Sequence, residues 1–358
     1  FQAEDGIRDR SPSRGLGDVY KRQIYLNWNL KKTIMRNMLK KSQESSRTCT
    51  QNRIVNLYKP QGPTSFSMVN QIKKILGVKK AGHIGTLDPM AEGILPICLG
   101  QSTRIIQFLS PLSKYYQCTM ELGSATDTQD ATGKVVSTGN ASGVTNDQIK
   151  EAFQRFTGKQ KQVPPMYSAK KNNGIPLYKL ARNGITIERK PVSVHFFSIE
   201  FVSRSENRVN FQVHCSAGTY IRTLCHDIGQ RFGCGAHMSG LVRSKVGIFD
   251  LESSITLDAL KEATLSKPGV FFSVEKVLAF LPEIRIKDEF AKQVINGRAL
   301  PKSSLKAVPI KFEPGMSLRV LNGSDTILAI VEPLVNQDQF DQMESCEIAF
   351  KLQRVLVN

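Results

Sequence analysis

Residues 81–95 read AGHIGTLDPMAEGIL, and this stretch decides how the rest of the sequence is interpreted. Asp88 stands directly before Pro89, whose ring pushes the preceding residue towards extended backbone. Gly85 and Gly93 allow close backbone approach or positive φ. Asp88 therefore lies on a turn, either as the cap of a short helix that begins at Pro89 or as a functional carboxylate. These residues alone leave both interpretations open.

The composition is strongly basic. The 358 residues carry a formal net charge of +18, and Lys and Arg are in excess both in residues 1–53 and in the remainder. Phosphate contacts by Lys and Arg dominate affinity for nucleic acids, so this charge favours a polyanionic partner. Anionic lipid is the rival, but no stretch reaches the roughly 18 consecutive apolar residues of a membrane-spanning helix. We expect a nucleic-acid partner and no membrane.

The seven cysteines contain no C-x-x-C pair. Such spacing fits neither a zinc ribbon nor a disulfide framework, and an odd count in a chain of this size indicates a reducing cytoplasm. The five histidines show no metal-ligand spacing. We therefore predict a cytoplasmic protein without a metal.

The first 53 residues are not expected to join the folded core. Residues 1–23 lack hydrophobic periodicity and resemble a translated cloning adapter, so we interpret them as a non-native segment. Residues 24–53 are predicted to be a disordered basic leader. A mitochondrial-type targeting segment and upstream read-through before Met35 or Met38 both remain open for them.

Hydrophobic periodicity predicts a mixture of helices and strands. Strand 116–122 alternates apolar and polar residues, which places Tyr116 inward at its start, as a site residue or as an ordinary core tyrosine. The other predicted strands are 54–58, 209–215, 241–243, 317–321, 326–332 and 345–356. The predicted helices end at Leu76, begin at the capping box 145–148, or cover 220–229, 257–265, 273–281 and 290–295. Pro282 marks the boundary between a domain of residues 54–281 and a small β-rich domain of residues 282–358.

Two further features concern charged side chains. The apolar stripe of helix 220–229 leaves Arg222 near the helix start and off the buried face. A cation there opposes the helix dipole, and this local conflict indicates a function outside the helix. The loop 127–133 contains carboxylates that either bind a metal or make turn hydrogen bonds. Its spacing matches no calcium loop, so turn chemistry is favoured.

Six motifs follow one another from about Ile54 onwards. They are Lys59-Pro60-x-Gly62, Gly82-His83-x-Gly85-x-Leu87-Asp88-Pro89-x-Ala91-x-Gly93, Lys114-x-Tyr116, Pro164-Pro165-x-Tyr167-Ser168-Ala169-x-Lys171, Gly218-Thr219-Tyr220-Ile221-Arg222 and Gly233-Cys234-Gly235-Ala236-His237. In this order they resemble the motifs of the bacterial TruB family of tRNA pseudouridine synthases. The sequence departs from the family's pattern in its N-terminal extension and at His226, where other members often carry an acidic residue.

The resemblance implies an α+β fold, with a mixed or antiparallel pseudouridine-synthase sheet flanked by helices and a small C-terminal PUA-like β-barrel that binds RNA. It implies that uridine 55 in the T-loop of tRNA is flipped out and converted to pseudouridine. No cofactor, metal or obligatory protein partner is implied, and we expect a monomer.

The resemblance also assigns the catalytic residues. Asp88 matches the family's catalytic aspartate, which acts as a nucleophile or as a base at the sugar. Arg222 matches the arginine expected to pair with Asp88 and to hold its pKa low. Tyr116 matches the residue that stacks on the target base. Attack at C6, attack at C1′ and proton removal from the sugar remain alternatives.

The same resemblance assigns a substrate-binding set. Its members are His83, which would fill the space left by the extruded base, together with Tyr116, Tyr220, Leu241 and Lys59. Rival functions are a guide-RNA-dependent relative, a non-catalytic RNA-binding or RNA-folding protein, and an RNA uridine methyltransferase. The intact Asp88, Tyr116 and Arg222 argue against loss of chemistry, and the lack of a cofactor-type glycine loop or a nucleophilic Cys motif argues against methylation.

Overall fold

A computed structural model describes residues 52–262, 270–307 and 311–357. The adapter-like segment 1–23 and nearly all of the basic leader 24–53 lie outside these residues, as do the last three residues of the predicted helix 257–265. In the described parts of the chain, no helix is both long and apolar enough to cross a bilayer.

The described strands are numbered in chain order. They are β1 (Ile54–Lys59), β2 (Ala81–His83), β3 (Glu92–Leu99), β4 (Lys114–Leu122), β5 (Ser124–Thr126), β6 (Val135–Thr138), β7 (Gly158–Gln162), β8 (Lys171–Asn172), β9 (Ile175–Pro176), β10 (Val192–Ser205), β11 (Arg208–Cys215), β12 (Ala236–Val246), β13 (Phe249–Asp250), β14 (Phe271–Phe272), β15 (Glu283–Ile286), β16 (Leu300–Pro301), β17 (Leu305–Ala307), β18 (Leu318–Leu321), β19 (Ile327–Pro333) and β20 (Ile348–Val355).

The described α-helices follow the same convention. They are α1 (Ser65–Leu76), α2 (Ile106–Leu109), α3 (Asn146–Phe156), α4 (Leu177–Arg182), α5 (Ile221–Phe232), α6 (Leu257–Glu262), α7 (Val274–Val277), α8 (Ala291–Ile295) and α9 (Gln337–Gln342). Short 3₁₀ segments cover Gly100–Ile105, Asp288–Phe290 and Lys302–Ser304.

The first sheet is the centre of the fold. Its main path runs β14-β1-β3-β12-β4-β11-β10-β7, with β2 paired to β3 and β13 paired to β12. Strands β3 and β12 run parallel, and the other neighbours on the path are antiparallel. One face packs on α3 and α5, whose buried residues Phe153 and Leu224 join Met120 and Phe211 in the largest apolar cluster. We call this the inner face.

The C-terminal strands form a second, barrel-like sheet in the order β16-β20-β19-β18-β15-β17. It has its own apolar core, in which the rings of Phe312, Phe340 and Phe350 pack edge to face or tilted. Ile330 of β19 instead joins Ile54 in a cluster of the first sheet, so the two sheets pack together. The predicted fold class, a mixed sheet flanked by helices with a small β-barrel-like C-terminal part, is confirmed.

Local sequence signals account for several of these elements. Helix α1 begins after Thr64, whose hydroxyl accepts a hydrogen bond from the Ser67 amide, and ends at Gly77 with φ 63°. Helix α3 starts with the expected capping box between Thr145 and Gln148. Strand β4 has the expected alternation, although it begins two residues earlier, at Lys114. The two helices satisfy hydrogen bonds at their own ends, which makes those ends recognisable in the sequence.

Other elements differ from the expectation. Helix α5 runs three residues beyond 229, to Phe232, and α7 is a single turn rather than a helix over 273–281. The longest strand, β10, was not predicted. Its register shifts after Phe196 and again after Phe201, and these irregularities interrupt the apolar and polar alternation on which the prediction depended.

We expect Gly93→Ala to destabilise the fold by at least about 2 kcal/mol. Gly93 has φ +104°, and an added Cβ would lie 2.4 Å from the backbone oxygen of Arg243 on the neighbouring parallel strand. Urea denaturation of the variant measures the loss. Gly143→Ala is the matched control because a Cβ at Gly143 meets nothing within 4 Å. Equal losses in the two variants would contradict the close approach at Gly93.

Candidate active site

Asp88 lies on a tight turn rather than at a helix start, so the helix-cap interpretation is wrong. The Ala91 amide donates to the Asp88 carbonyl at 3.1 Å, and no helix follows Pro89 in this described stretch. The Ser65 hydroxyl donates to the Leu87 carbonyl at 2.8 Å and accepts from the Leu87 amide at 2.9 Å. These two hydrogen bonds fix the turn before β3 to Ser65, the first residue of α1.

Lys59 supports the same turn through buried hydrogen bonds and does not line the pocket beside Asp88. Its side chain is fully buried, and its ammonium donates to the carbonyls of Pro60, Pro89 and Ala91 at 3.0, 3.2 and 2.6 Å. Burial lowers the pKa of Lys59 to about 8, although the charges of Asp88 and Glu92 oppose this shift. With three acceptors already contacted, the Lys59 ammonium holds the backbone of the turn, and its role in substrate binding stays a prediction.

Arg222 and Asp88 form the expected pair. Nη2 of Arg222 lies 2.9 Å from Oδ2 of Asp88, and Nη1 lies 3.6 Å from Oδ2 of Asp130. The guanidinium also donates to the carbonyls of Thr128 and Tyr167 at 3.1 and 2.9 Å. Arg222 is 4% exposed, so the expectation that it lies off the buried face is wrong. The two carboxylates and the two carbonyl acceptors together explain why a cation is tolerated inside the first turn of α5.

Asp130 is fixed by its own loop. Its Oδ1 accepts from the Thr128 hydroxyl at 2.8 Å and from the Thr132 amide and hydroxyl at 3.0 and 2.6 Å. Asp127 in turn accepts from the Lys134 amide at 2.8 Å. Turn chemistry in loop 127–133 is thus present as predicted. No cluster of three or more His, Cys, Asp or Glu side chains suited to a metal occurs among the described residues.

Burial raises the pKa of Asp88 above its ordinary value. The Arg222 guanidinium is the largest opposing influence, Asp130 raises the pKa further, and Lys59 lowers it. The expected low pKa is therefore wrong in its net direction, because desolvation of the carboxylate outweighs the ion pair. The side chain of Asp88 keeps 39% of its surface exposed, so the carboxylate is paired on one side and accessible on the other.

A pocket of about 280 Å³ lies over the Asp88 carboxylate. Tyr116, Tyr220, Leu241 and Arg222 contribute to its wall, so the structure brings five of the seven predicted site residues together. They come from the start of β4, the start of α5 and the middle of β12. Burial raises the pKa of Tyr116 and of Tyr220, which keeps both phenols neutral at physiological pH.

His83 is not part of this pocket wall. It closes β2, opposite Ile97 of β3, and its Nδ1 is buried without a hydrogen-bond partner in the described part of the chain. Burial lowers the pKa of His83, and the nearby charge of Arg243 lowers it further. The imidazole of His83 is therefore neutral at physiological pH.

Sequence reasoning missed Arg243 and Lys114. Arg243 is 1% exposed, lines the pocket, and donates to the carbonyls of Ile94 and Gly85 at 2.9 and 3.0 Å. Lys114 lines the pocket as well, and burial lowers its pKa to about 8. A signal for Arg243 exists in the sequence, because it stands two residues after Leu241 and so shares the inward side of its strand.

The fold is similar to that of two solved structures. A chain of a Cbf5–Nop10–Gar1 complex matches with a TM-score of 0.69 and 30% identity, over 86% of each chain. A chain of an H/ACA RNP bound to a substrate RNA containing 2′-deoxyuridine matches with a TM-score of 0.67 and 28% identity, over 86% of each chain.

Sequence comparison identifies the family. Residues 73–221 match the model of the TruB family pseudouridylate synthase N-terminal domain, and residues 222–269 match the tRNA pseudouridylate synthase B C-terminal domain. The tRNA pseudouridine synthase B of Clostridium acetobutylicum is 46% identical over 68% of this chain and 83% of that protein. That of Syntrophotalea carbinolica is 40% identical over 74% and 86%. The chain belongs to the TruB family of pseudouridylate synthases.

We expect Asp88→Asn to raise the unfolding temperature at pH 7. Because the pKa of Asp88 is raised in the folded protein, the folded state keeps a proton to higher pH than the unfolded chain, whose carboxyl titrates near about 4. Stability therefore falls as pH rises above that value, and an amide avoids the loss. Thermal denaturation should show the gain at pH 7 and little gain near pH 4.

The control for this experiment is Asp127→Asn, which changes a carboxylate that caps a turn and does not contact Arg222 through any described ion pair. We expect no stabilisation from it. A lower unfolding temperature for Asp88→Asn than for the unchanged protein at pH 7 would contradict the raised pKa.

Proposed function

We propose that the protein converts uridine 55 in the T-loop of tRNA to pseudouridine. The observation that carries the proposal is the Asp88 carboxylate, paired with Arg222 at 2.9 Å and exposed to a pocket that Tyr116 also lines. The reaction breaks the N1–C1′ bond, forms a C5–C1′ bond, and moves the C5 proton to N1. It is an isomerisation, so the balance of atoms and electrons requires no co-reactant.

The net charge of the protein and its similarity to named relatives support tRNA as the substrate. The net charge of +18 suits a polyanion whose phosphates contribute most of the affinity. Many relatives at 39–46% identity carry the name tRNA pseudouridine synthase B. We infer that this chain acts on the T-arm of tRNA, in the cytoplasm, as a monomer without an obligatory protein partner.

Asp88 is the reactive group in this proposal. It acts as a nucleophile or as a base at the sugar, and both roles require the ionised carboxylate. Burial makes the carboxylate more basic than an exposed one, and Arg222 keeps it ionised and oriented. The carboxylate therefore combines raised basicity with a fixed direction, which suits a group that must approach one carbon of the substrate.

The remaining pocket residues hold the base. The neutral ring of Tyr116 stacks on the uracil, and Tyr220 and Leu241 form the adjacent walls. A volume of about 280 Å³ lies near the lower end of the range for small-molecule sites, about 300 Å³, which suits a single nucleotide. His83 fills the space that the extruded base leaves, and Lys59 acts indirectly by holding the Asp88 turn.

The base must leave its stack to react. A glycosidic carbon and a uracil edge are not accessible inside a stacked loop, and extrusion costs roughly a few kcal/mol. The pocket walls replace the lost stacking with aromatic and apolar contacts. The protein needs only the shape and backbone of the T-arm to place the correct nucleotide at the pocket.

We expect Asp88→Ala to bind unmodified tRNA with nearly unchanged affinity and to lower product formation by at least about a thousandfold. The measurement is mapping of pseudouridine at single-nucleotide resolution after incubation with a tRNA transcript. The unchanged protein should give product at position 55. Product at another position would contradict the specificity, and full activity of Asp88→Ala would indicate an RNA-folding protein instead of a synthase.

We expect Asp130→Asn to lower kcat by about 10²-fold at neutral pH, because Arg222 loses one of its fixed partners. The acidic limb of the pH profile should move to lower pH. The negative charge of Asp130 raises the pKa of Asp88, so its removal favours ionised Asp88 at lower pH. Single-turnover rates across the pH range measure both effects.

Asp127→Asn is the matched control for Asp130→Asn, since both replace a carboxylate of the same loop with an amide. Its pH profile should coincide with that of the unchanged protein. An acidic limb that stays in place or moves to higher pH in Asp130→Asn would contradict the electrostatic coupling.

A further inference from the structure

The outer face of the first sheet, opposite the inner face, carries a series of rings that the proposed reaction does not use. Tyr115 stacks on His214 with ring centroids 3.9 Å apart and planes 8° from parallel. The Phe197 centroid lies 4.5 Å from that of His214 and 4.5 Å from that of His195. We call these four residues, which span β4, β11 and β10, the aromatic row.

Strand alternation separates the aromatic row from the pocket. Tyr116 lines the pocket, so its neighbour Tyr115 points to the other side of the sheet. Phe196 is fully buried in the inner-face cluster, whereas Phe197 is 46% exposed and Tyr115 is 39% exposed. The rings thus lie in contact with one another on a face that leaves them accessible.

Two β-bulges lie beside this arrangement. In β10 alternation already turns Phe197 outward, and the register shift after Phe196 brings Ser198 opposite His214. In β12 a shift after Arg243 keeps that side chain in the pocket and brings Lys245 opposite Tyr115. Bulges interrupt the hydrogen-bond ladder and redirect single side chains, and they are enriched beside functional sites.

Lysines lie at both ends of the aromatic row. Nζ of Lys245 is 5.7 Å from the centroid of the Tyr115 ring. At the other end, Lys159 of β7 pairs directly with His195, so the two side chains share the outer face. Lys161 is exposed two residues further along the same strand. The rings cover one another's faces and leave their edges exposed, so this face of the sheet combines accessible ring edges with positive charge on either side.

We propose that the aromatic row binds a single-stranded RNA segment, with the faces of its bases packed on the exposed ring edges and phosphates at Lys159, Lys161 and Lys245. Aromatic platforms flanked by cations are the general solution for single strands, because every base has a face that stacks and every nucleotide carries a phosphate. Rings displayed on an open sheet stack two or three bases in RNA-binding domains. A protein partner would require neither the alignment of ring planes nor the flanking lysines.

This surface is distinct from the T-arm pocket, because the two lie on opposite faces of β4. A nucleotide in the pocket and a base on the aromatic row belong to separate parts of one RNA or to two RNA molecules. The choice of RNA over DNA rests on the proposed function, whereas the stacking surface itself rests only on the geometry of the rings.

The test is fluorescence anisotropy with a labelled eight-nucleotide oligouridylate. We expect Phe197→Ala to weaken its binding about tenfold, both alone and in the presence of saturating unlabelled T-arm stem-loop. Phe280→Ala is the matched control, since Phe280 is 45% exposed and distant in sequence from the aromatic row. We expect this control to leave binding unchanged.

A second variant keeps the proposal testable if Phe197→Ala fails to fold. Lys245→Gln retains every ring and should reduce the slope of log affinity against log salt concentration by about 1. The proposal is overturned if Phe197→Ala binds the oligouridylate as tightly as the unchanged protein does, or if the stem-loop displaces the oligouridylate completely. Either result would leave this face to a protein partner.

Pseudouridine formation on the stem-loop, measured in parallel, should be the same in Phe197→Ala as in the unchanged protein. Its absence from the unchanged protein would refute the proposed function and leave the anisotropy comparison valid.

Discussion

One buried guanidinium with two carboxylate neighbours is the interaction on which the site depends. Arg222 lies 2.9 Å from Asp88 and 3.6 Å from Asp130, and it is almost wholly removed from solvent. A buried cation is costly unless it is paired and hydrogen-bonded, and here two backbone carbonyls accept from the same guanidinium. Burial is the largest cause of the raised pKa of Asp88, and the negative charge of Asp130 raises it further against the opposing charge of Arg222.

The carboxylate is useful only because its turn cannot move. Backbone atoms around Asp88 are held by Ser65 at the start of α1, by Lys59 at the end of β1, and by Arg243 on β12. These anchors come from three separate parts of the chain. Preorganised groups of this kind require no rearrangement when the substrate arrives, and this is the main way in which a protein lowers a barrier with fixed charges. Burying two like-charged carboxylates beside one cation lowers the stability of the folded protein, and the fixed position of the site comes at that cost.

The sequence predicted the parts of the fold that carry local signals. Gly77 marks the end of α1 in the sequence, and a capping box marks the start of α3. The alternation of apolar and polar residues in β4 identifies its buried side. The pairing of Asp88 with Arg222 came from the family resemblance and from a cation in an unfavourable helical position. Asp130 and Arg243 were missed as site residues, and Arg222 was expected off the buried face, because burial and contact between distant segments depend on tertiary packing.

Bulged strands explain both the failure of the prediction for β10 and the difference between the two faces of the sheet. A regular strand places side chains alternately on the two sides, so a functional surface on one side fixes what the other side can carry. The bulge after Arg243 relaxes that constraint. It lets Arg243 remain against the pocket while Lys245, two residues further on, lies beside Tyr115 on the other side of the sheet. In a regular strand these two side chains would share one side, so the irregular register is what allows this strand to support two chemically different surfaces.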